Sequence, residues 1–271
     1  MKKFIILLFT NLAVASGLAM EPLDTMWLKI TYHVSLKDFV EREKGRESNA
    51  VLEIGKTASS FYSPEYRRQV EVHDSLKALH VTGDVYFQKM FAINGFNKIM
   101  TYAVYKNFPT EGSLTYTDEI FGYNYTYKED IPSIKWELIE GDTIICNYSC
   151  KKALGKLRGR TWITWYTLDI PISEGPWKLQ GLPGLILYAS DSQKDFTFSC
   201  LGVKKENRLI CFWGNNLNKC TPIELQKELK DYWYDQSGYV NRREGLPKPD
   251  LSGLKVKVRP KKPCYIEFYE E

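Results

Sequence analysis

The chain has 271 residues, of which 44% are hydrophobic and 14% aromatic, and it carries 37 Lys and Arg against 33 Asp and Glu. This supply of apolar side chains excludes a disordered chain, because enough apolar surface is available to bury a core. The small and evenly spread net charge of +4 argues against nucleic acid as the main partner. The length favours one large β-rich domain over two small ones.

The N-terminus has the pattern of a cleaved export signal. Lys2 and Lys3 precede an apolar run at 4–18, and Gly17 and Ala19 place small residues where a signal peptidase reads them. The run is shorter than the roughly 20 apolar residues of a membrane-spanning helix. We therefore expect residues 1–19 to be a signal peptide. The mature chain, 20–271, is then a single exported domain of the periplasm or cell envelope that does not span the membrane.

Most of the mature chain is predicted to form short strands. Between residues 26 and 34 apolar and polar side chains alternate, which is the pattern of a half-buried strand. Further strand candidates lie at 49–54, 98–105, 114–120, 123–127, 134–140, 143–153, 157–167, 185–189 and 254–258. Many short strands joined by polar turns predict a mainly β (α+β) fold, either a curved antiparallel sheet or a partly open barrel.

One helix is predicted near the C-terminus, at 221–234. Thr221 is suited to cap it, Pro222 to occupy its first position, and Glu224 to complete a capping box. Its apolar side chains recur with helical spacing, which predicts that the helix packs on the sheet. These apolar residues are Leu225, Leu229, Tyr232 and Trp233.

Two other stretches lack a strand pattern. Residues 63–88 are charged and irregularly apolar, and they are compatible with either a helix or a mobile loop. Residues 238–253 are rich in glycine, proline and charge, which predicts an exposed loop.

Six cysteines lie in the mature chain, which fits an oxidising compartment. They occupy positions 146, 150, 200, 211, 220 and 264. The pattern predicts a hairpin whose two strands, 196–203 and 208–213, are joined by the polar turn 204–207. One register of this hairpin places the apolar side chains of both strands on the same face, and in that register Cys200 lies opposite Cys211. This register predicts a Cys200–Cys211 disulfide, with two buried free thiols as the alternative. The partners of the other four cysteines stay open.

An ordered series of short motifs runs between residues 134 and 203. The series is Trp136-Glu-Leu, Cys150-Lys-Lys-Ala, Gly159-Arg, Trp165-Tyr-Thr, Ile170-Pro-Ile, Gly175-Pro-Trp and Gly181-Leu-Pro-Gly-Leu-Ile. It resembles the GLPGLI family of exported bacterial proteins, which is named for the last motif. Cys146 departs from the family pattern, in which glycine is common, and Cys264 and Tyr265 depart from its usual ending. The resemblance implies an exported β-rich protein and implies no reaction or cofactor.

Glycine and proline are concentrated just before the strand candidate at 185–189. The residues concerned are Gly175, Pro176, Gly181, Pro183 and Gly184. Glycine supplies backbone freedom and proline a fixed φ, so these residues predict tight turns that lead into a buried strand. The alternative is that the same turns shape the rim of a ligand cavity. Neither of the common glycine-rich phosphate-binding motifs is present.

The strand candidate at 157–167 carries the candidate binding residues. With a period of two, Arg158, Arg160, Trp162 and Tyr166 share one face. Interleaved cations and aromatic rings suit an anionic or aromatic group, through hydrogen bonds and cation–π contacts. The alternative is a solvated face on which the arginines pair with carboxylates.

Catalytic and metal-binding patterns are weak. The three histidines, at 33, 73 and 80, adjoin no nucleophile motif, and a histidine pair alone makes a poor metal site. Asp118 and Glu119 are adjacent, so on a strand they point to opposite faces, and a paired-carboxylate enzyme is neither supported nor excluded. We predict no catalytic residue, metal or cofactor from the sequence.

These features together favour an exported binding module for an apolar or anionic small molecule or an extended peptide. The expected partner is an unidentified ligand or an envelope protein, and not nucleic acid. Two alternatives are a carboxylate-dependent hydrolase and a structural partner of an outer-membrane assembly.

The structure can separate these three hypotheses. An enclosed cavity of several hundred Å³ would favour the binding module. Two facing carboxylates, one of them desolvated, favour the enzyme. A flat exposed apolar patch favours docking.

Overall fold

One sheet of twelve strands organises residues 20–95, 98–214, 216–242 and 262–269, which are the residues that the computed structural model describes. In chain order the strands are β1 (Met20–Leu36), β2 (Arg46–Ile54), β3 (Ser59–Tyr62), β4 (Ala103–Lys106), β5 (Ser113–Ile120), β6 (Tyr123–Asp130), β7 (Trp136–Ile145), β8 (Tyr148–Leu157), β9 (Arg160–Thr167), β10 (Leu185–Asp191), β11 (Phe196–Trp213) and β12 (Asn218–Lys219). Across the sheet they follow the order β12-β6-β5-β4-β3-β2-β1-β11-β10-β9-β8-β7. Neighbours are antiparallel except β12 and β6. Among the described residues no ladder joins β12 to β7, so the sheet is open and the mainly β fold is confirmed.

Four helices accompany the sheet in the described residues. They are α1 (Pro64–Ala78), α2 (Gly83–Ala92), α3 (Pro222–Tyr234) and α4 (Gln236–Arg242). The helix predicted at 221–234 is confirmed as α3: Thr221 and Glu224 form the reciprocal capping box, and Leu225 is buried in the core. The segment at 63–88, compatible with a helix or a loop, contains α1 and the start of α2. No helix in the described ranges is long and apolar enough to cross a membrane.

Several predicted segments lie outside the described residues. These include the export signal at 1–19 and the strand at 254–258. Most of the loop predicted at 238–253 also lies outside them, but its first residues, 238–242, are the end of α4, so the loop prediction was wrong there. The single-domain organisation of 20–271 stays a prediction.

The longest ladder joins β1 and β11, which have 17 and 18 residues. β11 continues through 204–207, where the sequence predicts a turn, because β1 supplies backbone partners on both sides of this point. Cys200 pairs with Tyr32, and Cys211 pairs with Pro22. About 36 Å of extended strand separates the two cysteines, at roughly 3.3 Å per residue, which is far beyond disulfide reach. The predicted hairpin and its Cys200–Cys211 disulfide are therefore wrong, and both thiols are free.

A two-residue turn interrupts the strand predicted at 157–167. Arg158 and Gly159 have φ of 49° and 76°, and Leu157 at the end of β8 pairs with Arg160 at the start of β9. Two consecutive positive φ values are typical of the tight hairpin turn in which glycine is favoured. Arg158 therefore lies in the turn and does not share a strand face with Arg160.

The sheet curves around the segment that joins β9 to β10, residues 168–184, here called the inner segment. Lys106 of β4 donates a hydrogen bond to the Leu179 carbonyl at 3.2 Å, and Trp136 of β7 donates one to the Gln180 carbonyl at 2.8 Å. β4 and β7 are eight places apart in the sheet order, which is about 38 Å in a flat sheet at roughly 4.8 Å per strand. Since they contact neighbouring residues, the sheet must be strongly curved.

The inner segment fills the concave side of this sheet. Trp177 is fully buried, and its ring lies 5.4 Å from that of Trp162 on β9. Leu179 and Leu182 belong to the same core. The concave side of the sheet is therefore occupied in large part by the chain itself.

Two glycines of the inner segment meet requirements that only glycine satisfies. Gly181 has a φ of 96°, which side chains with a Cβ rarely adopt. At Gly184 an added Cβ would lie 1.9 Å from the Thr167 carbonyl oxygen. The backbone can therefore enter β10 close against the end of β9.

We expect Trp177→Ala to lower the free energy of unfolding by about 3–5 kcal/mol, because it leaves a large cavity in the core. Urea denaturation followed by far-ultraviolet circular dichroism measures the loss. Leu209→Ala is the control, since this side chain is 58% exposed and its removal should change the free energy by about 0.5 kcal/mol or less. Similar losses in both variants would contradict a core role for the inner segment.

Candidate functional site

A cavity of about 600 Å³ lies between α3 and the C-terminal segment 262–269. Five of its fifteen lining residues are cationic, and we call it the basic cavity. Its cations are Lys37, Arg160, Lys227, Lys230 and Lys262. A single carboxylate, that of Asp195, accompanies them, and Tyr265, Phe268 and Tyr269 add aromatic surface. The volume lies within the usual range for small-molecule sites.

Backbone hydrogen bonds hold the C-terminal segment against the loop that follows β1 and against the turn between β8 and β9. Val40 donates to the Lys262 carbonyl at 2.8 Å, and Cys264 donates to the Asp38 carbonyl at 3.1 Å. Farther along, Phe268 donates to the Arg158 carbonyl at 3.0 Å. These contacts place the segment opposite α3 and so form one wall of the basic cavity.

Arg160 stands at the base of this wall and is almost fully buried. Its Nη1 lies 2.6 Å from Asp191 and 3.4 Å from Asp195, while its Nε donates to the Tyr265 carbonyl at 2.8 Å. The guanidinium also lies 4.5 Å from the centre of the Phe196 ring. Arg160 thus lines the basic cavity, but protein groups already occupy its hydrogen-bond donors. Its ligand-binding role stays a prediction.

Arg158 belongs to a second charged cluster, beside the inner segment. It forms ion pairs with Glu129 and Glu267, and both carboxylates also bind the ammonium group of Lys178. Lys178 is fully buried, lies 2.7 Å from Glu267, and donates to the Tyr127 hydroxyl at 2.8 Å. A buried ammonium of this kind is stable only because its carboxylate partners compensate the lost hydration.

The remaining two predicted binding residues, Trp162 and Tyr166, lie in the core. Trp162 is fully buried and packs against Trp177 and Phe198. Tyr166 is also buried, and neither side chain lines a cavity described here. The structure therefore does not bring the four predicted residues into one site, and only Arg160 reaches the basic cavity.

A smaller cavity of about 190 Å³ lies on the other side of the C-terminal segment, and we call it the tyrosine cavity. It shares Lys37, Cys264 and Tyr265 with the basic cavity, so the two are adjacent. Its titratable or hydroxyl-bearing lining includes Asp118, Glu267, Tyr102, Tyr116, Tyr127 and Tyr269, together with Lys37, Asp38, Arg46, Thr101, Cys264 and Tyr265. Apolar residues of α3 form the opposite wall.

Asp118 is the most perturbed carboxylate of the tyrosine cavity. Burial raises the pKa of Asp118 to about 6, although its carboxylate accepts a hydrogen bond of 2.5 Å from the Thr101 hydroxyl. The Tyr102 hydroxyl is buried in the same wall, with no hydrogen-bond partner among the described residues. The raised-pKa carboxyl of Asp118 and the unpartnered hydroxyl of Tyr102 therefore line the same small, partly open cavity.

Sequence reasoning did not single out Lys178, Glu129, Glu267 or Lys106. The one local signal was a lysine between Trp177 and Leu179, in an otherwise apolar stretch of the inner segment. Its carboxylate partners lie 49 and 89 residues away along the chain. No spacing rule connects residues at such separations, so only the folded sheet identifies the cluster.

Comparison with known proteins gives one short family match. A family model described as "Protein of unknown function (Porph_ging)" matches residues 155–188. These residues fall inside the window 134–203 that carries the motif series, and they include β9 and the inner segment. No curated protein matches this chain.

Two solved structures are similar to this chain, and both carry the name PNGF-II. One, in space group P21, has 14% sequence identity and a TM-score of 0.49; the other, in space group C2, has 13% and 0.48. Each alignment covers 76% of this chain and 33% of the other. This chain therefore spans about a third of the length of those proteins.

We expect Asp118→Asn to remove a pH dependence of stability between about pH 4 and pH 6. The folded pKa of Asp118 is raised, so in that interval the folded chain holds a proton that the unfolded chain has lost, and stability falls as pH rises. Relative to the variant, the wild type should lose about 2 kcal/mol of unfolding free energy between pH 4 and pH 7. Parallel curves from urea denaturation across this range would contradict the buried, raised-pKa state.

Proposed function

We propose that this chain is an exported envelope protein that binds a small anionic molecule with an apolar or aromatic part. The observation that carries the proposal is the basic cavity, where five cations face one carboxylate in about 600 Å³. Such a cavity attracts anions through its summed potential. Tyr265, Phe268 and Tyr269 supply apolar surface for the uncharged part of the ligand.

The lysines of α3 and of the C-terminal segment are the groups best suited to meet the ligand. Lys37 lies 3.1 Å from Asp195, which also pairs with Arg160, so these two cations are partly neutralised by the protein. By contrast, Lys227, Lys230 and Lys262 form no ion pair with any described residue. Their charge is available to an incoming anion, and Arg160 holds the wall on which the ligand rests.

Export and family membership belong to the same proposal. The apolar run after Lys2 and Lys3 and the small residues before the expected cleavage after Ala19 support export. The ordered motif series at 134–203 supports membership of the GLPGLI family, and residues 155–188 within it match the model described as "Protein of unknown function (Porph_ging)". The matched family is described as having unknown function, so the ligand class comes from the cavity alone.

We expect Lys227→Glu/Lys230→Glu to weaken binding of the anionic dye 8-anilinonaphthalene-1-sulfonate by about tenfold or more. Two charge reversals then oppose the sulfonate, and tenfold corresponds to about 1.4 kcal/mol. The uncharged analogue N-phenyl-1-naphthylamine should bind both forms within about twofold. Fluorescence titration at low and high salt measures both effects, and sulfonate binding to the wild type should weaken with salt.

The matched control is Lys204→Glu/Lys205→Glu, which reverses two exposed lysines of β11 that do not line the cavity. It should leave sulfonate binding within about twofold of the wild type, since exposed charges beyond roughly 8–10 Å are screened. Equal binding by both double variants would overturn the cavity as the anion site.

The second candidate function, a carboxylate-dependent hydrolase, is favoured by a different observation. Asp118 and Glu267 both line the tyrosine cavity, and burial raises the pKa of Asp118 to about 6. Two carboxylates whose environments differ are the usual basis for acid and base roles. Glu267 is already paired with Lys178, whereas Asp118 has no ion-pair partner among the described residues and would be the proton donor.

The hydrolase hypothesis predicts that the wild type cleaves at least one substrate in a panel of p-nitrophenyl glycosides and esters. Asp118→Asn should then lower the rate by about 100-fold or more, because it cannot transfer a proton. Glu224→Gln, at the exposed start of α3, is the control and should keep the full rate. Release of p-nitrophenol no faster than in buffer across the panel would reject this candidate and leave the binding role in place.

A further inference from the structure

Two cysteines that are distant in sequence touch in the folded chain. Cys146 lies in the turn between β7 and β8, and Cys200 lies in β11. Their Sγ atoms are 3.6 Å apart, and the Cys146 thiol also donates to the Cys200 carbonyl at 3.3 Å. Both residues pack in or against the main hydrophobic core.

The topology explains why this contact forms at the end of the β7–β8 hairpin. β11 and β8 are separated by two strands in the sheet, about 14 Å at roughly 4.8 Å per step in a flat sheet. The ladder between β10 and β11 contains only three pairs and ends with Tyr188 opposite Ser199. Next to this end, the Cys200 carbonyl accepts a hydrogen bond from the Cys146 thiol. The turn between β7 and β8 extends beyond the last β8–β9 pair, Cys150 with Thr167, and so can reach Cys200 on β11.

We propose that Cys146 and Cys200 form a disulfide when the protein is oxidised, and that this bond fastens the β7–β8 edge of the sheet to its centre. The two thiols are already in contact, and bonding requires their Sγ atoms to approach from 3.6 Å to about 2.05 Å. The turn can supply this shift, because Cys146 and Asn147 form a two-residue hairpin turn with φ of 51° and 67°.

The chemistry is thiol–disulfide exchange with a disulfide oxidant, such as oxidised glutathione or an envelope oxidoreductase. The Cys146 thiolate attacks one sulfur of the oxidant, which breaks the oxidant's S–S bond and releases one of its thiolates. The Cys200 thiolate then attacks the Cys146 sulfur of this mixed disulfide and releases the second thiolate. Two protons pass from the protein thiols to the two released thiolates, so the protein is oxidised by two electrons and the oxidant is reduced by two.

Exposure sets the order of these steps. Cys146 is partly exposed, whereas Cys200 is buried, so Cys146 meets the oxidant first. Burial, together with the neighbouring Cys146, raises the pKa of the Cys200 thiol to about 12. In the mixed disulfide Cys146 can no longer carry a negative charge, and one cause of this raised pKa disappears. Cys200 is then the resolving thiol.

The other four cysteines are less suited to a bond. Cys150 is the third thiol nearby, but it is buried, and it donates to the Tyr148 carbonyl on its own strand. Cys264 contacts Asp195 and Arg160, Cys220 contacts the Thr126 carbonyl, and Cys211 lies far along β11 from Cys200. We therefore expect these four thiols to stay reduced.

The test is incubation of the purified full-length chain with oxidised glutathione, followed by alkylation in denaturant and peptide mapping without reductant. The expected result is one cross-linked pair of peptides that joins Cys146 to Cys200, with the other four cysteines alkylated. Because the bond closes a loop of about 55 residues, reduction should lower the melting temperature by about 10 °C.

Two single variants serve as controls. Cys146→Ser should abolish the cross-link, leave Cys200 alkylated, and melt like the reduced wild type under both conditions. Cys220→Ser should keep the cross-link and the shift in melting temperature. Full alkylation of both Cys146 and Cys200 in the oxidised wild type would overturn the proposal, as would a dominant Cys150–Cys200 or Cys146–Cys150 cross-link. The wild-type map decides the question even where a variant fails to fold.

Discussion

Two buried ammonium groups hold the inner segment against the curved sheet, and the rest of the structure depends on them. Lys106 reaches from β4 to Glu174 and to two carbonyls of the segment, and Lys178 reaches from the segment to Glu129 and Glu267. Each ion is stable in the interior only when its partners are in place, because removal of one partner leaves an uncompensated buried charge. The ion pairs therefore link the position of the segment to the curvature of the sheet.

This arrangement determines where a ligand can enter. Since Trp177 and its neighbours occupy the concave side, the cavities lie instead around the C-terminal segment, between the sheet and α3. Arg160 and Glu267 each stabilise the fold and also line a cavity. Arg160 donates a hydrogen bond to the Tyr265 carbonyl, and Glu267 binds Lys178. Substitutions of these two residues therefore affect stability and binding together. Substitutions of the α3 lysines separate an effect on binding from an effect on stability more cleanly.

The sheet has a long central ladder and a projecting hairpin at one edge. β1 and β11 pair over most of their length, whereas β10 and β11 share three pairs. The gap beside this short ladder is where the β7–β8 turn meets Cys200. The long β1–β11 ladder thus rules out a Cys200–Cys211 bond, and the short β10–β11 ladder leaves room for the contact of Cys200 with Cys146.

The sequence by itself determined the features that depend on neighbouring residues: the alternating strands, the capped helix α3 and the glycine- and proline-rich turns before β10. Only the tertiary structure decided which strands pair, that Arg158 lies in a tight turn while Arg160 lies on a strand, and which carboxylates bind Lys178. Local patterns reflect backbone and side-chain preferences over a few residues. Ladders such as β1–β11, and contacts such as that of Lys178 with Glu267, join residues 89 or more positions apart, and their partners are selected by the packing of the whole sheet.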